Sequence, residues 1–354
     1  MDLHQDNASD AGDSGRHRLG QSSDPLLIDS FGRRHNYLRI SLTDRCNLRC
    51  FYCMPEEGID LAQRSSLMQA EEVIAMAKKF IALGVDKIRL TGGEPLVRND
   101  AHGIIKALGA LPVELAVTTN GILVDRFVDT FKAAGIRSVN VSLDSLVEER
   151  QVRISHRNYF RRILDNVKLL QDGSFHLKLN MVVMKGVNDD ELTDFVELTR
   201  NTSLHVRFIE FMPFRGNKWT WAQGFGYDEI MEVLTARYGA DNITRLQANP
   251  NETARCFTVN GYMGTFGIIG SVTHPFCSDC NRIRLTADGK LKNCLFSNGE
   301  TDLLTPMREG RDVTPLILQN IRSKAWQRGG MNSLKDMSDP ERITQNRSMV
   351  AIGG

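Results

Sequence analysis

The segment from residue 37 to residue 53 reads YLRISLTDRCNLRCFYC and joins a short apolar run to three closely spaced cysteines. The run Tyr37–Leu42 predicts a β-strand. The loop after it carries Cys46, Cys50 and Cys53 in the spacing Cys-x3-Cys-x2-Cys. Parallel α/β folds place their chemistry on side chains at the carboxyl ends of strands. The segment therefore predicts an α/β fold with a thiol-rich site on its first loop.

Further short apolar runs follow this strand, separated by segments whose apolar residues have helical spacing. Alternating strands and helices imply βα units and a parallel sheet. About six such units are fewer than the eight of a closed barrel. We therefore expect an open, partial parallel βα barrel. The other predicted strands are Lys87–Leu90, Val113–Val117, Arg137–Leu143, Lys178–Met184 and His205–Phe211, and the predicted helices are Ala70–Leu83, Asp125–Ala134, Phe160–Leu170 and Asp190–Arg200.

The chain divides into three predicted parts. Residues 1–28 are rich in Asp, Ser and Gly and predict a disordered extension. Residues 29–212 contain the predicted barrel. Residues 213–354 begin with a stretch rich in Gly and Trp, and we expect them to form a C-terminal region that covers the open side of the barrel. This region has a predicted helix at Tyr227–Tyr238, a predicted hairpin at Cys256–Ile269 and a polar tail.

Composition and charge exclude several classes of protein. Apolar residues make up 41% of the 354 residues, charged residues make up 25%, and the formal net charge is +1. This near-neutral charge gives no global field for binding nucleic acid or a membrane surface. No apolar run approaches the roughly 18 residues of a membrane span. The acidic N-terminal segment resembles neither a secretory signal nor a mitochondrial presequence. We expect a cytoplasmic protein, or one of the mitochondrial matrix if the source is eukaryotic.

The first cysteine group favours an iron–sulfur cluster. Structural zinc sites have four protein ligands and usually paired Cys-x2-Cys elements. Here three thiolates lie close together in the sequence without a nearby fourth ligand. Three ligands on a four-iron cluster leave one iron open for a small cofactor. A zinc site or three unconnected thiols is the alternative.

The second cysteine group also contains three thiols, spaced Cys-x2-Cys-x13-Cys at Cys277, Cys280 and Cys294. The dipeptide Asp288-Gly289 predicts a hairpin turn that would return the third cysteine towards the first two. Two assignments remain open for this group. One is a second cluster with an open iron, and the other is a zinc site completed by His274 or Cys256.

Several cations lie in segments predicted to be strands. Arg282 and Arg284 alternate, so they would share one face and suit a phosphate, although a solvated basic face is the usual alternative. Arg39, Arg89 and Lys178 lie in otherwise apolar strands, where a cation is costly without an anion. That anion is either a bound phosphate or a carboxylate, for which the candidates are Glu94, Asp144 and Glu210.

The sequence around the first triad resembles the radical S-adenosylmethionine (SAM) superfamily, in CNLRCFYC at residues 46–53 and GGEP at residues 92–95. The resemblance becomes closer in LRISLTDR at residues 38–45, in PFCSDCNRIR at residues 275–284 and in the final Gly-Gly. These stretches look like the molybdenum cofactor biosynthesis protein A family, the GTP 3′,8-cyclases. The match runs from about residue 29 to the end and is loose over residues 323–347.

The resemblance implies an activity and its residues. A 4Fe-4S cluster on the first triad would bind SAM and cleave it reductively to a 5′-deoxyadenosyl radical, and a second 4Fe-4S cluster would bind GTP. The product would be 3′,8-cyclo-7,8-dihydro-GTP, in the first step of molybdenum cofactor biosynthesis. The implied SAM contacts are Tyr52, Gly93, Ser142 and Met212, the implied GTP contacts are Arg39, Arg89, Thr118, Lys178, Arg282, Ile283 and Arg284, and the implied catalytic residues are Cys46, Cys50, Cys53, Gly353 and Gly354.

Two other functions remain as alternatives. One is another radical SAM enzyme with an auxiliary cluster, such as a peptide-modifying enzyme, and the other is a zinc-dependent nucleic-acid-binding protein. The preferred function implies GTP as substrate, an electron donor, and product hand-off to a cyclic pyranopterin synthase. A homodimer is compatible with the sequence, and no nucleic-acid or membrane partner is expected.

Overall fold

The computed structural model describes residues 26–54, 58 and 61–353. Most of the predicted N-terminal extension therefore lies outside the described residues. Within them, twelve strands form one sheet. The strands are β1 (Tyr37–Ser41), β2 (Lys87–Thr91), β3 (Glu114–Thr119), β4 (Ser138–Ser142), β5 (His176–Val183), β6 (His205–Glu210), β7 (Ile243–Arg245), β8 (Arg255–Val259), β9 (Thr265–Ile269), β10 (Arg282–Leu285), β11 (Lys290–Lys292) and β12 (Thr301–Asp302).

The helices pack on this sheet and continue to the C-terminus. No helix in the described part of the chain is long and apolar enough to cross a membrane. The α-helices are α1 (Ala70–Ala82), α2 (Ala101–Gly109), α3 (Val124–Ala133), α4 (Glu148–Ser155), α5 (Phe160–Asp172), α6 (Leu192–Glu197), α7 (Tyr227–Tyr238), α8 (Leu304–Arg308), α9 (Thr314–Arg322), α10 (Leu334–Met337), α11 (Pro340–Gln345) and α12 (Met349–Ile352).

The central part of the sheet is the predicted open parallel barrel. Strands β1 to β6 lie side by side in chain order and are parallel throughout. Each of the six predicted strands is confirmed. The C-terminal region does more than cover the barrel, because it extends the sheet at both edges. Strand β10 pairs with β1 and strand β9 pairs with β6, both in parallel, so the sheet order is β12-β11-β10-β1-β2-β3-β4-β5-β6-β9-β8-β7.

Helix α2 was not predicted from the sequence. It contains Gly103 and ends at Gly109, and glycine is among the weakest helix formers. The structure explains the second glycine by packing. A Cβ at Gly109 would lie 2.7 Å from the Cα of Ala134, so only glycine allows α2 to approach the end of α3 this closely. Tertiary packing therefore stabilises this helix despite the low helix propensity of its glycines.

The alternation of side chains along β1 separates the core from the barrel interior. Leu38 and Ile40 are fully buried in the hydrophobic core. Tyr37 and Arg39 project from the opposite face and line the cavity inside the barrel. Because every barrel strand alternates in this way, polar residues at every second position reach one interior space.

Candidate active site

The barrel encloses a cavity of about 500 Å³ that brings the two cysteine groups together. All six clustered cysteines line it, although more than 220 residues separate the groups in the sequence. The first group lies on the loop after β1, and the second lies just before β10 and just after β11. Since β1 and β10 are paired neighbours, the sheet itself places both groups at the same cavity.

The loop of the first triad is held by backbone and side-chain hydrogen bonds. Its backbone N–H groups at Arg49 and Phe51 donate to carbonyls at the end of α4. The Sγ of Cys46 accepts from the Leu48 N–H at 3.4 Å and from the Asn120 amide at 3.8 Å. The three thiols are near enough to interact electrostatically with one another. All three line the same cavity.

Burial controls the protonation of these thiols. It raises the pKa of Cys46 to about 11, with a further contribution from the carboxylate of Glu94. Burial also raises the pKa of Cys50, and Asp144 and the other two cysteines add to the effect. The thiols therefore carry protons at neutral pH unless a metal replaces them, and metal binding here releases protons.

The second triad lies in a more cationic environment. Strands β10 and β11 form the predicted hairpin, with Gly289 in its turn at φ +69°. This hairpin returns Cys294 to Cys277 and Cys280, and Cys277 interacts electrostatically with both. Burial alone would raise the pKa of Cys280, but the cations of Lys324 and Arg282 outweigh burial and lower it.

Neither proposed fourth zinc ligand lies at the second triad. The ring of His274 packs at an angle of 48° against that of Tyr227, and its Nε2 lies 3.7 Å from Asp228. The Sγ of Cys256 lies 3.3 Å from a carboxylate oxygen of Glu252 and belongs to a separate apolar cluster. Neither residue lines the cavity that the six clustered cysteines share. In the described ranges, no group of three His, Cys, Asp or Glu side chains is arranged to hold a single metal ion.

A row of three arginines lines the cavity from β1 and the two strands beside it. The sheet register places Arg39 beside Arg89 on one side and beside Arg284 on the other. Neighbouring strands are about 4.8 Å apart, so these three guanidinium groups crowd together. Burial lowers the pKa of Arg284 to about 10, and the positive charge of Arg282 contributes. Burial also lowers the pKa of Lys178, with contributions from Arg207 and Arg89.

The carboxylates proposed as partners for these cations bind elsewhere. Glu94 accepts from the hydroxyl of Thr119 and from backbone N–H groups, including that of Asn120. Asp144 accepts from Tyr52 and from a backbone N–H. Glu210 accepts from backbone N–H groups and from a threonine hydroxyl. These three carboxylates therefore hydrogen-bond to groups other than the cations. Arg39, Arg89 and Lys178 line the cavity, and the guanidinium of Arg89 donates to Tyr37, to the carbonyl of Val117 and to Ser138.

The four residues implied as SAM contacts all line the cavity: Tyr52, Gly93, Ser142 and Met212. Tyr52 donates its hydroxyl to Asp144 at 2.8 Å, which fixes the ring beside the first triad. Gly93 has an additional structural reason to be glycine. A Cβ there would lie 2.4 Å from the carbonyl oxygen of Arg45, so its backbone packs directly on the cysteine loop.

Six of the seven residues implied as GTP contacts also line the cavity, and Ile283 is the exception. Its side chain is fully buried in the hydrophobic core. Because neighbours on a strand face opposite sides, Arg282 and Arg284 reach the cavity and Ile283 does not. The assignment of Ile283 as a GTP contact therefore stays a prediction, and only its backbone could make that contact. The six that line the cavity are Arg39, Arg89, Thr118, Lys178, Arg282 and Arg284.

Tyr37 and Arg207 are among the cavity residues that the sequence analysis missed. Tyr37 accepts a hydrogen bond from the Nε of Arg89 at 2.5 Å, and the guanidinium of Arg282 lies 5.7 Å from the centre of its ring. Arg207 lines the cavity from β6, and its Nε donates to Asn180 at 2.9 Å. Arg207 is a cation in an apolar strand, so the reasoning applied to Arg89 would have found it. No sequence signal marks Tyr37.

The end of the chain enters this region. Gly353 is buried at φ +84°, and its carbonyl accepts from Arg284 at 2.6 Å. A Cβ at this position would lie 2.6 Å from the hydroxyl of Thr91 and 2.9 Å from the Cβ of Ser41. Only glycine fits both the backbone conformation and the space. Gly354 lies outside the described residues.

Comparison with known proteins agrees with this geometry. Residues 40–199 match the Radical SAM superfamily, and residues 204–331 match Molybdenum Cofactor Synthesis C. A mitochondrial GTP 3′,8-cyclase of Arabidopsis thaliana is 42% identical over 96% of this chain and 87% of its own length. A GTP 3′,8-cyclase of Peptoclostridium acidaminophilum is 39% identical over 93% of this chain and 98% of its own length.

One further sequence relative and one solved structure extend the comparison. Human molybdenum cofactor biosynthesis protein 1 is 42% identical over 92% of this chain, which spans 51% of that longer protein. Among solved structures, Streptococcus suis SuiB bound to S-adenosylmethionine has a TM-score of 0.55 at 16% identity, with 89% of this chain and 73% of that chain covered. At this identity, the likeness to SuiB shows the radical SAM fold alone. The sequence relatives go further: the chain belongs to the GTP 3′,8-cyclase family of radical SAM enzymes.

Proposed function

We propose that this chain converts GTP to 3′,8-cyclo-7,8-dihydro-GTP in the first step of molybdenum cofactor biosynthesis, using SAM and two 4Fe-4S clusters. The observation that carries the proposal is the shared cavity. The thiols of Cys46, Cys50 and Cys53 line it together with those of Cys277, Cys280 and Cys294, and a row of arginines lies beside the second group.

The residues around the first triad are suited to hold a 4Fe-4S cluster and SAM beside it. When bound, such a cluster supplies the electron that cleaves the sulfonium of SAM reductively. Cys46, Cys50 and Cys53 would hold the cluster. Tyr52 and Asp144 form a hydrogen-bonded wall beside it, and the buried loop around Gly93 limits the entry of water.

The residues at the second triad suit GTP. Arg39, Arg89 and Arg284 form a cationic row that matches a triphosphate in charge. The Nη1 of Arg282 is a buried donor without a partner among the described residues, as expected where a substrate oxygen would accept. Cys277, Cys280 and Cys294 would hold the second cluster, and together these groups fix the ribose relative to the first triad.

Metal analysis with GTP binding tests this function. Protein reconstituted without oxygen should contain about eight irons and eight sulfides per chain, on the basis of four per cluster. GTP should bind, and incubation with SAM and a strong reductant should give the cyclised product. Stoichiometric zinc in place of the second four irons would contradict the proposal.

The partners and the location belong to the same proposal. An electron donor would reduce the first cluster, and a cyclic pyranopterin synthase would receive the product. The cytoplasm, or the mitochondrial matrix for a eukaryotic source, is the proposed compartment, and a homodimer is the proposed assembly. The predicted division at residue 213 stays a prediction.

GTP binding is expected to weaken above neutral pH because of Tyr37. Burial alone would raise the pKa of its phenol, but Arg89, Arg39 and Arg282 outweigh burial and lower it to about 7. Above that pH a phenolate lies among the arginines, and the triphosphate repels it. Binding must then take up a proton, so the dissociation constant for GTP should rise by up to about tenfold per pH unit. Calorimetry between pH 7 and pH 9 measures this slope.

The matched variant is Tyr37→Phe, which keeps the ring beneath Arg282 and removes the ionisable hydroxyl. Its GTP affinity should vary much less over the same pH range. A slope in this variant equal to that of the unmodified protein would show that another group titrates.

A further inference from the structure

Lys324 is a buried cation that lies against the second cysteine group. Lys324 comes two residues after the end of α9, and it is only 4% exposed. The Nζ lies 2.9 Å from the carbonyl oxygen of Arg282, 3.4 Å from the Nδ1 of His35 and 3.6 Å from the Sγ of Cys280. An ammonium group has three N–H donors, and these three acceptors use all of them.

None of the three acceptors of Lys324 is a carboxylate. A buried ammonium group without an anionic partner is costly. Two of its acceptors are neutral, since burial followed by the charge of Lys324 lowers the pKa of His35 to about 4. The sulfur of Cys280 is therefore the acceptor that supplies the negative charge. This buried cation fits a thiolate that belongs to a metal cluster.

A rigid frame behind Lys324 fixes its position. With His35 neutral, its Nε2–H donates to the carboxylate of Asp29 at 3.0 Å, which leaves Nδ1 free to accept from Lys324. The same carboxylate accepts from the Nε of Arg33 at 2.6 Å. Arg33 in turn donates to the carbonyls of Cys277 and Trp326, so the frame spans both the cysteine loop and the segment that carries Lys324.

The sulfurs of the first triad have different donors. In the described part of that loop, Cys46 accepts from a backbone N–H and from the Asn120 amide, both uncharged. The nearest ionisable groups to these thiols include the acids Glu94 and Asp144. The two cysteine groups therefore lie in environments of opposite sign.

We propose that Lys324 is a positioning residue that raises the reduction potential of the second cluster through its charge-assisted hydrogen bond to Cys280. The potential of an iron–sulfur cluster depends on net charge and on hydrogen bonds to its sulfurs. A reduced cluster carries one more negative charge than an oxidised one, so a neighbouring ammonium favours reduction. This inference rests on the proposed presence of the second cluster.

The test is a redox titration of the reconstituted holoenzyme, followed by electron paramagnetic resonance. A variant in which Cys46, Cys50 and Cys53 are all alanine identifies the signal of the second cluster. In Lys324→Met, that cluster should be harder to reduce. At a fixed potential, its ratio of reduced to oxidised forms should fall at least tenfold, which is about 59 mV for one electron. The potential of the first cluster should not change.

Two further variants keep the test decisive. Lys324→Gln keeps two N–H donors on a side chain one bond shorter and removes the charge. It should shift the potential in the same direction, so it serves if the Met variant does not fold. Lys292→Met also removes a fully buried lysine, whose Nζ bonds to the Ser297 carbonyl, the Asn346 amide oxygen and the carboxylate of Glu300, and whose charge reaches Cys294 without a hydrogen bond to its sulfur. It should lower the ratio clearly less than Lys324→Met does, because no hydrogen bond to a cluster sulfur is lost.

The outcomes separate this inference from the proposed function. Eight irons per chain with an unchanged second-cluster potential in both Lys324 variants would overturn the role of Lys324 and leave the function standing. A protein without the second cluster would overturn both.

Discussion

Replacing Cys294 by serine is expected to stop GTP cyclisation while reductive cleavage of SAM continues. Cys294 lies just after β11 and interacts electrostatically with Arg284, whereas Cys46, Cys50 and Cys53 lie on the loop after β1. Losing this ligand leaves GTP without a fixed position. A displacement of about 1 Å can cost roughly a hundredfold in rate, so cyclisation should fall at least that much. Chromatography of 5′-deoxyadenosine and of the cyclised nucleotide measures both reactions.

The paired variant is Cys50→Ser, which should abolish both reactions. Cys50 lies at the centre of the first triad and interacts with both of its other thiols. Without it, the cluster that reduces SAM is not properly held, so neither 5′-deoxyadenosine nor product should form above the level without protein. Normal cyclisation in the Cys294 variant would refute the substrate-positioning role of the second triad.

Deleting Gly353 and Gly354 is expected to lower GTP cyclisation at least about a hundredfold, again because the substrate site is displaced, while iron content and circular dichroism remain unchanged. The carbonyl of Gly353 is an acceptor for Arg284, which belongs to the row of arginines proposed to bind the triphosphate. Without the tail, Arg284 loses that acceptor and the cavity gains solvent. Product formation at saturating GTP and SAM measures the effect.

Substitution by alanine tests the same point with a smaller change. In Gly353→Ala, the left-handed backbone costs about 1–2 kcal/mol, and the added Cβ collides with Thr91 and Ser41. The control is Gly310→Ala, where φ is +75° and a Cβ would meet nothing within 4 Å. Comparable losses in both variants would indicate a general effect of backbone strain. Full activity of the truncated protein would show that the tail has no part in the reaction.

The sequence predicted those features that are encoded locally. Each barrel strand is a short apolar run, and the cysteine spacings lie within single loops or one hairpin. Helix α2 was missed because the close approach of Gly109 to Ala134 is a tertiary contact. Helix α4 and the short helices from α8 onward were missed for a related reason: they are too short to form alone, and packing stabilises them.

The same limit of sequence-based prediction applies to the functional side chains. Arg89 and Lys178 were found because a charge in an apolar strand is conspicuous, whereas Tyr37 resembles an ordinary strand residue. Lys324 lies in a polar segment, where a lysine gives no sequence signal of function. Only the fold places it beside Cys280. Ile283 was assigned as a contact by resemblance, and the alternation of its strand turns the side chain into the core.

The extension of the sheet at both edges has a consequence for how the chain acquires its structure. Until β9 and β10 have been synthesised, β1 and β6 are exposed strand edges with unpaired backbone groups. Such edges are prone to intermolecular pairing. Nascent chains that have completed only the barrel should therefore be the species most liable to aggregate, and chaperones should bind them. Studies of either cysteine group by truncation consequently need the complete sheet.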